Sequence, residues 1–277
     1  GYGHASGGDW HDITQACAAQ LEVPADANLG FVYVTDALAG ELGKITALLV
    51  ERTGVADWVG TTGIGICATG HEYFDEPAVA AMAGHFPEGS FRLFGHLGDD
   101  QSTLTSGDEG SFAVVHADPR DPDMMHRVPE LAEQAGCFLV GGLSSSRDLY
   151  AHVAGTLTEG ALSGVMFSPE VPVATALTQG CSPIGPMHDV TQCEANIAVE
   201  IDGRPALEVF KDDIGEVLAH DLQRIAGYIF AAFPVAGSDR ADYMVRNLVG
   251  LDEARGLLAI GAPLEVGQKI MFCRRDS

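Results

Sequence analysis

Hydrophobic and polar positions follow two different rhythms along this chain. FVYVTD, Phe31 to Asp36, is an apolar run of strand length, and after it Leu38, Leu42, Ile45, Leu49 and Arg52 recur at helical intervals up to Gly54, where a terminating glycine is expected. WVGTTGIGICATG then returns to a strand pattern. Strand, helix and strand of these lengths predict a βαβ unit with parallel strands and a right-handed crossover. The same order recurs in SFAVVHAD (Ser111 to Asp118), a helix opened by Asp121 and Pro122 and closed near Gly136, and the strand CFLVGG. Between the two units, DEPAVAAMAG offers Asp75 as a cap, an early proline and a closing glycine, which predicts a short helix of about two turns.

From Gly164 the rhythm shortens to two. GVMFSPEVPVATALTQG and TQCEANIAVEIDG alternate; in the latter, Thr191, Cys193, Ala195, Ile197, Val199 and Ile201 share one face, as in an antiparallel sheet with one wet side. Asp202 and Gly203 mark a sharp reversal. A long amphipathic helix is predicted from about Asp213, turning Ile214, Leu218, Leu222, Ile225 and Ile229 to the core, and two closing strands surround DEARG. The expected fold class is mixed, layered α/β: sheets flanked by helices, parallel βαβ units in the N-terminal part and antiparallel strands in the C-terminal part. The clearest seam lies near Asp202, dividing the chain into 1–202 and 203–277.

Composition narrows the partners. The 277 residues, 46% hydrophobic, hold ample core material, and 39 acidic against 15 basic residues give a formal charge of −24. That charge repels phosphate backbones and anionic lipid, so neither nucleic acid nor a membrane surface is an expected partner. Cysteines at 17, 67, 137, 181, 193 and 273 form no C-x-x-C pair, which fits reduced thiols in a cytoplasmic protein. No apolar run approaches the roughly 18 to 20 residues of a membrane span, and GYGHASGGDW lacks the basic and apolar regions of a signal peptide. KIMFCRRDS stops directly after a strand-like run, which reads as a truncated C-terminus.

Candidate chemistry gathers at two places. LVGGLSSSRD ends the second βαβ unit, where open α/β sheets expose loop N–H groups and small side chains to ligands; Gly141 and Gly142 permit unusual dihedrals and Ser144 leads three hydroxyls. TQGCSPIGPMHDVT packs Cys181, Pro183, Gly185 and His188 into a stiff loop whose prolines lower the cost of ordering a pocket wall. Cys181 is either an inert thiol or, with a base in reach, a nucleophile. His188 has no zinc-site spacing, but a haem needs one proximal ligand. Arg204 and Arg246 either recognise a carboxylate or pair with local acids. GIGICA matches a dinucleotide-binding glycine pattern, yet no helix pattern follows it.

Together, GHASGGDW, WVGTTGIG, FLVGGLSSS and above all TQGCSPIGPMHDVTQCEANIAVEIDGRPALEVF resemble the FIST family, the "F-box and intracellular signal transduction" sensory module. The resemblance implies a FIST N-terminal portion to about Asp202 and a C-terminal portion from near Arg204. It implies a sensor rather than an enzyme, binding a small molecule such as an amino acid and feeding a histidine kinase or another signalling protein. Some family members are haem-binding nitric-oxide sensors, which makes haem on His188 the alternative cofactor reading. The expected pocket is bordered by the GGLSSS strand exit and the QGCSPIGP loop, with Arg204 as an anion anchor.

Overall fold

In the computed structural model, which describes residues 1–95, 112–158, 161–176, 180–215, 227–235 and 242–276, the chain divides into two units, Gly1–Val173 and Ala174–Ser277. The described residues within 174–202 therefore group with the C-terminal strands.

The first unit runs β1 (Tyr2–Ser6), α1 (Trp10–Gln20), β2 (Leu29–Thr35), α2 (Leu42–Thr53), β3 (Asp57–Gly63), β4 (Gly65–Ala68), β5 (His71–Phe74) and β6 (Ala78–Gly84). It continues with β7 (Phe91–Phe94), β8 (Phe112–Ala117), α3 (Met124–Ala135), β9 (Phe138–Leu143), β10 (His152–Ala154), β11 (Thr156–Thr158) and β12 (Leu162–Phe167). Both predicted crossovers are present: β2 and β3 are parallel around α2, and β8 and β9 are parallel around α3. Each helix ends at a left-handed glycine, Gly54 and Gly136, which supplies a positive φ without Cβ strain.

The two crossovers belong to a larger repeat. One sheet has the order β1-β6-β2-β3, extended by β10 and β11; the other has β7-β12-β8-β9. In each, a hairpin follows the second parallel strand, and the strand after it returns antiparallel to the first. The register carries the correspondence down to single residues: Val32 pairs with Gly60 and Ala81, as Val115 pairs with Gly141 and Gly164. A Cβ on Gly60 would overlap the Val32 carbonyl oxygen, and one on Gly141 would overlap that of Val115. Tyr33 in the first copy thus corresponds to His116 in the second.

The expected helix over DEPAVAAMAG is instead the strand β6, between β1 and β2. Alanine favours helix, but Ala78, Val79, Ala80, Ala81 and Ala83 are all buried, and small side chains on both sides suit a central strand covered on both faces. Asp75 sits in a turn with positive φ rather than at a cap. The first residues, whose pattern predicts no clear element, form β1 and α1, and Asp9 caps α1 by accepting from the His11 and Asp12 amides.

The two sheets share an apolar cluster. Leu29 and Phe31 of β2, Val59 of β3, Phe112 and Val114 of β8, and Val165 and Phe167 of β12 meet there. On the opposite face of the first sheet, Val32, Val34 and Trp58 pack against Ile13 and Cys17 of α1 and Ile45 and Leu49 of α2. On the second, Ala113 and Val115 pack against Leu131 and Ala135 of α3. Alternation along each strand sends one residue set to the helices and the other to the facing sheet.

The second unit is antiparallel throughout: β13 (Cys181–Pro183), β14 (His188–Glu194), β15 (Ile197–Ile201), β16 (Arg204–Pro205), α4 (Ala206–Ile214), β17 (Ile229–Pro234), β18 (Tyr243–Asp252), β19 (Leu257–Ile260) and β20 (Lys269–Arg275). The order β20-β14-β15-β19-β18-β17 closes through a β17–β20 pairing into a barrel, which removes free edges that an open sheet would expose. Leu207, Phe210 and Ile214 of α4 pack on its core, with Phe210 edge-on to Phe272 at 4.9 Å.

Two expectations change here. The run from Thr191 to Ile201 is a hairpin, because Ala195 takes a positive φ and the buried set becomes Val190, Ala198 and Ile201. The helix predicted from Asp213 to Ile229 changes at its two described ends: Asp213 and Ile214 close the helix α4 begun at Ala206, with Gly215 at positive φ after them, and Ile229 opens a strand; the stretch between, with Leu218, Leu222 and Ile225, lies outside the described residues. Asp202 and Gly203 do reverse the chain, both at positive φ.

Candidate functional site

Toward the carboxyl ends of β2, β3 and β8, the contact between the two sheets changes from apolar to polar. Phe31 gives way to Tyr33, Val59 to Thr61, Val114 to His116 and Val165 to Ser163, each two residues along the same face. The polar side chains form two hydrogen-bonded groups. The Tyr33 hydroxyl lies 3.0 Å from His116 Nε2, with the rings edge to face. Separately, Ser144 Oγ lies 2.7 Å from Thr61 Oγ1 and 2.8 Å from His152 Nε2, and His152 Nδ1 lies 3.1 Å from Ser163 Oγ.

The second group has a direction. Thr61 has one hydroxyl proton, and it donates to the Ala151 carbonyl at 3.1 Å. Ser144 therefore donates to Thr61, and His152 donates from Nε2 to Ser144. His152 Nδ1, left as an acceptor, takes the proton of Ser163. Burial lowers the His152 pKa, and Asp118 opposes this only partly, so the neutral ring this order requires is the favoured one. The order matters chemically. Ser144 points its proton away from the imidazole, so His152 is not poised as a general base for it.

His116 is neutral too. Burial and the neighbouring His152 lower its pKa to about 4, and burial raises that of Tyr33 to about 12. His116 is 4% exposed, and its Nδ1 has no hydrogen-bond partner among the described residues.

A cavity of about 360 Å³ opens at this end, walled by Tyr33, Thr61 and His116, by Gly141, Gly142 and Ser144, and by Ile66 and Cys67 of the β4–β5 hairpin. This volume suits a small metabolite. Among the described residues, none that lines it is Asp, Glu, Lys or Arg. Arg147, just beyond the serines, is engaged by Asp36 and Asp75. Ser145 helps hold the loop by accepting from the Ile64 amide at 3.0 Å.

The three candidates of the first unit thus share one cavity. Gly141 is required by the close approach of β8, whereas a Cβ on Gly142 would meet open space. The other candidates lie in the second unit. Cys181 opens β13, its carbonyl accepts from the Tyr243 hydroxyl at 2.6 Å, and among the described residues no histidine hydrogen-bonds its thiol. Burial and then Cys181 itself push the neighbouring Cys273 thiol up to about 12. Pro183 pairs with Cys273 on β20. Gly185 leaves room for the Asp213 carboxylate, which a Cβ would strike.

His188 bridges two acids, with Nδ1 at 2.6 Å from Asp202 and Nε2 at 2.9 Å from Asp213. Burial alone would lower its pKa, but these bonds and charges outweigh it and the net shift is upward. Each ring nitrogen donates to a carboxylate, so neither has a lone pair to offer an iron, and this arrangement does not fit a haem. Its evident work is to tie β14 to α4 and to the Asp202 turn. Arg204 pairs with Asp212 at 2.8 Å on the surface. Arg246 donates to its neighbour's carbonyl, Val245 O, at 3.0 Å.

Hydrophobic patterning and motifs do not single out Tyr33, Thr61, His116 or His152. A signal is present all the same: Tyr33 and His116 are each the one bulky polar residue near the end of an otherwise apolar strand in corresponding copies of the repeat. Strand periodicity alone assigns both to the core.

Comparison with known proteins adds the lineage. The chain is 26% identical over 299 residues to the uncharacterized protein Rv0628c of Mycobacterium tuberculosis (strain ATCC 25618 / H37Rv), covering 96% of this chain and 74% of that one. It is 27% identical over 277 residues to the uncharacterized protein Mb0898c of Mycobacterium bovis (strain ATCC BAA-935 / AF2122/97), covering 87% and 70%. The FIST N domain matches residues 28–204 and the FIST C domain residues 206–277, so the chain belongs to the FIST family, which is associated with signal transduction and small-ligand sensing.

Proposed function

We propose that this chain is a sensory module that holds a small ligand in the cavity of its first unit and relays occupancy to a signalling partner. The observation that carries this reading is the cavity at the carboxyl ends of both parallel strand pairs, the end at which open α/β sheets bind ligands. Its wall is mostly pre-ordered, because the chain from Ser163 to Ala151 already fixes Ser144 and Thr61, and little is left to freeze on binding. Binding, rather than catalysis, fits the proton order at Ser144. Signalling follows if a partner distinguishes the filled from the empty state, since a ligand shifts an equilibrium only by its differential affinity.

Gly142 provides the test. A leucine there meets no protein atom within 4 Å at its Cβ and extends from the cavity wall. In a thermal-shift screen of small metabolites, hits at 100 times their dissociation constant stabilise the protein by about 2.7 kcal/mol. Gly142→Leu is expected to abolish those shifts while leaving the ligand-free midpoint within about 2 °C of wild type. Hits that survive Gly142→Leu would place the binding site elsewhere.

A further inference from the structure

The sensory function proposed for this cavity leaves the chemistry of its ligand open, and any assignment of that chemistry rests on the same function. Of the polar side chains at the cavity, Ser144 and Thr61 are already committed to each other and to His152 and Ala151, while the Thr62 hydroxyl, which can donate or accept, is buried with no partner among the described residues. Tyr33 has one hydroxyl proton, and His116 Nε2 is the partner it reaches. Donation from Tyr33 to Nε2 satisfies both atoms and puts the ring's own proton on Nδ1; the opposite tautomer would leave the Tyr33 proton and Nδ1 both unmatched. The tautomer with fewer orphans presents one buried N–H donor with no acceptor among the described residues. A buried polar atom of this kind is costly unless something completes it.

We infer that the cavity takes an uncharged ligand whose carbonyl or hydroxyl oxygen completes His116 Nδ1, a small shift of the imidazole toward the cavity it lines uncovering that buried atom, and whose apolar body lies against Ile66 and Leu143. An anion is disfavoured on two counts. Among the described residues no cationic side chain lines the cavity, so an entering carboxylate would lose its water without a counter-charge, and the chain's −24 charge opposes its approach. An ammonium group is no better placed, because among the described residues no carboxylate lines the cavity, the free imidazole atom is a donor, and only the neutral Thr62 hydroxyl is left to accept from it. Amides, lactams, lactones and neutral alcohols meet the requirement.

The experiment compares matched probes on the full chain: benzamide with benzoate, and nicotinamide with nicotinate, titrated while the ¹⁵N signals of the His116 ring are followed. The uncharged member of each pair is expected to bind at least about tenfold more tightly and to move the His116 Nδ1 resonance. His116→Asn keeps a neutral donor near the Nδ1 position and is expected to retain amide binding better than His116→Gln, whose amide lies nearer Nε2. Equal or tighter binding of the acids, or no binding by either amide, overturns this ligand class. Equal binding by both His116 variants does the same. Retention of amide binding in Gly142→Leu overturns instead the assignment of the site.

Discussion

Ser144 shows how much one hydroxyl can be asked to do. It accepts from His152 and donates to Thr61, so its removal orphans the His152 N–H in a position where neither group reaches water: Ser144 is 5% exposed and His152 2%. Ser144→Ala is therefore expected to lower the stability of the first unit by about 1–3 kcal/mol in the absence of any ligand. Ser145→Ala, at an exposed residue that accepts one loop amide, should cost less than about 1 kcal/mol. Urea melts of the two variants check the order; equal effects would mean that the hydroxyl chain is not the support described. The serines are legible as site candidates because they follow a strand end, but the different duties of Ser144 and Ser145 are not. The burial of Ser144 beside an exposed Ser145 depends on Thr61 of β3 and His152 of β10, which stand against it.

Among the elements, β9 carries a sharp contrast between adjacent residues. Gly141 has φ +146 and no room for a Cβ beneath the Val115 carbonyl; Gly142 faces the open cavity. Gly141→Ala should destabilise the first unit by at least about 3 kcal/mol, combining steric overlap with a strained backbone, while Gly142→Ala should stay within about 0.5 kcal/mol of wild type. Chemical denaturation of the pair measures both. As sequence, the two glycines are one flexible motif. The strand pairing separates them, because alternate residues meet different surroundings. The Ala-rich β6 makes the same point: its composition suits a helix, and only the presence of β1 and β2 on its two sides selects the extended form.

At the scale of the molecule, the two units carry histidines shifted in opposite directions. His116, with its pKa lowered from 6.5 to about 4, binds fewer protons folded than unfolded between those values. The first unit therefore loses stability as pH falls from 6.5 toward 4, by about 3 kcal/mol in all, and His152 adds to the loss with the same sign. His188, with its pKa raised above 6.5, contributes stability to the second unit that is complete below 6.5 and is lost as pH rises through its folded value. Asp202, lowered from 3.8, contributes above that value and fails only as pH falls through its own folded pKa. Between about pH 7.5 and 5, acidification should weaken the first unit and support the second. Trp10 and Trp58, the chain's two tryptophans, both lie in the first unit, so their fluorescence isolates it, and far-UV circular dichroism follows both. The fluorescence midpoint should fall with pH in wild type and flatten in His116→Gln; an unchanged slope in that variant would remove the assignment.

Local pattern is sufficient for the two βαβ crossovers, the glycine-ended helices, the Asp202 turn and the antiparallel character of the C-terminal strands, because each is set by neighbours in sequence and by residues whose backbone preferences are strong. The family is legible for a related reason, since its motifs are contiguous. Barrel closure, the strand fate of β6 and the pairing of His188 with two acids were decided by tertiary structure, which brings together residues as far apart as Val190 and Gln268 or Phe230 and Cys273. The same holds for the cavity: Tyr33, Thr61, His116 and Ser144 become one site only when the two copies of the repeat face each other, and hydrophobic periodicity along one strand carries no information about what stands opposite it.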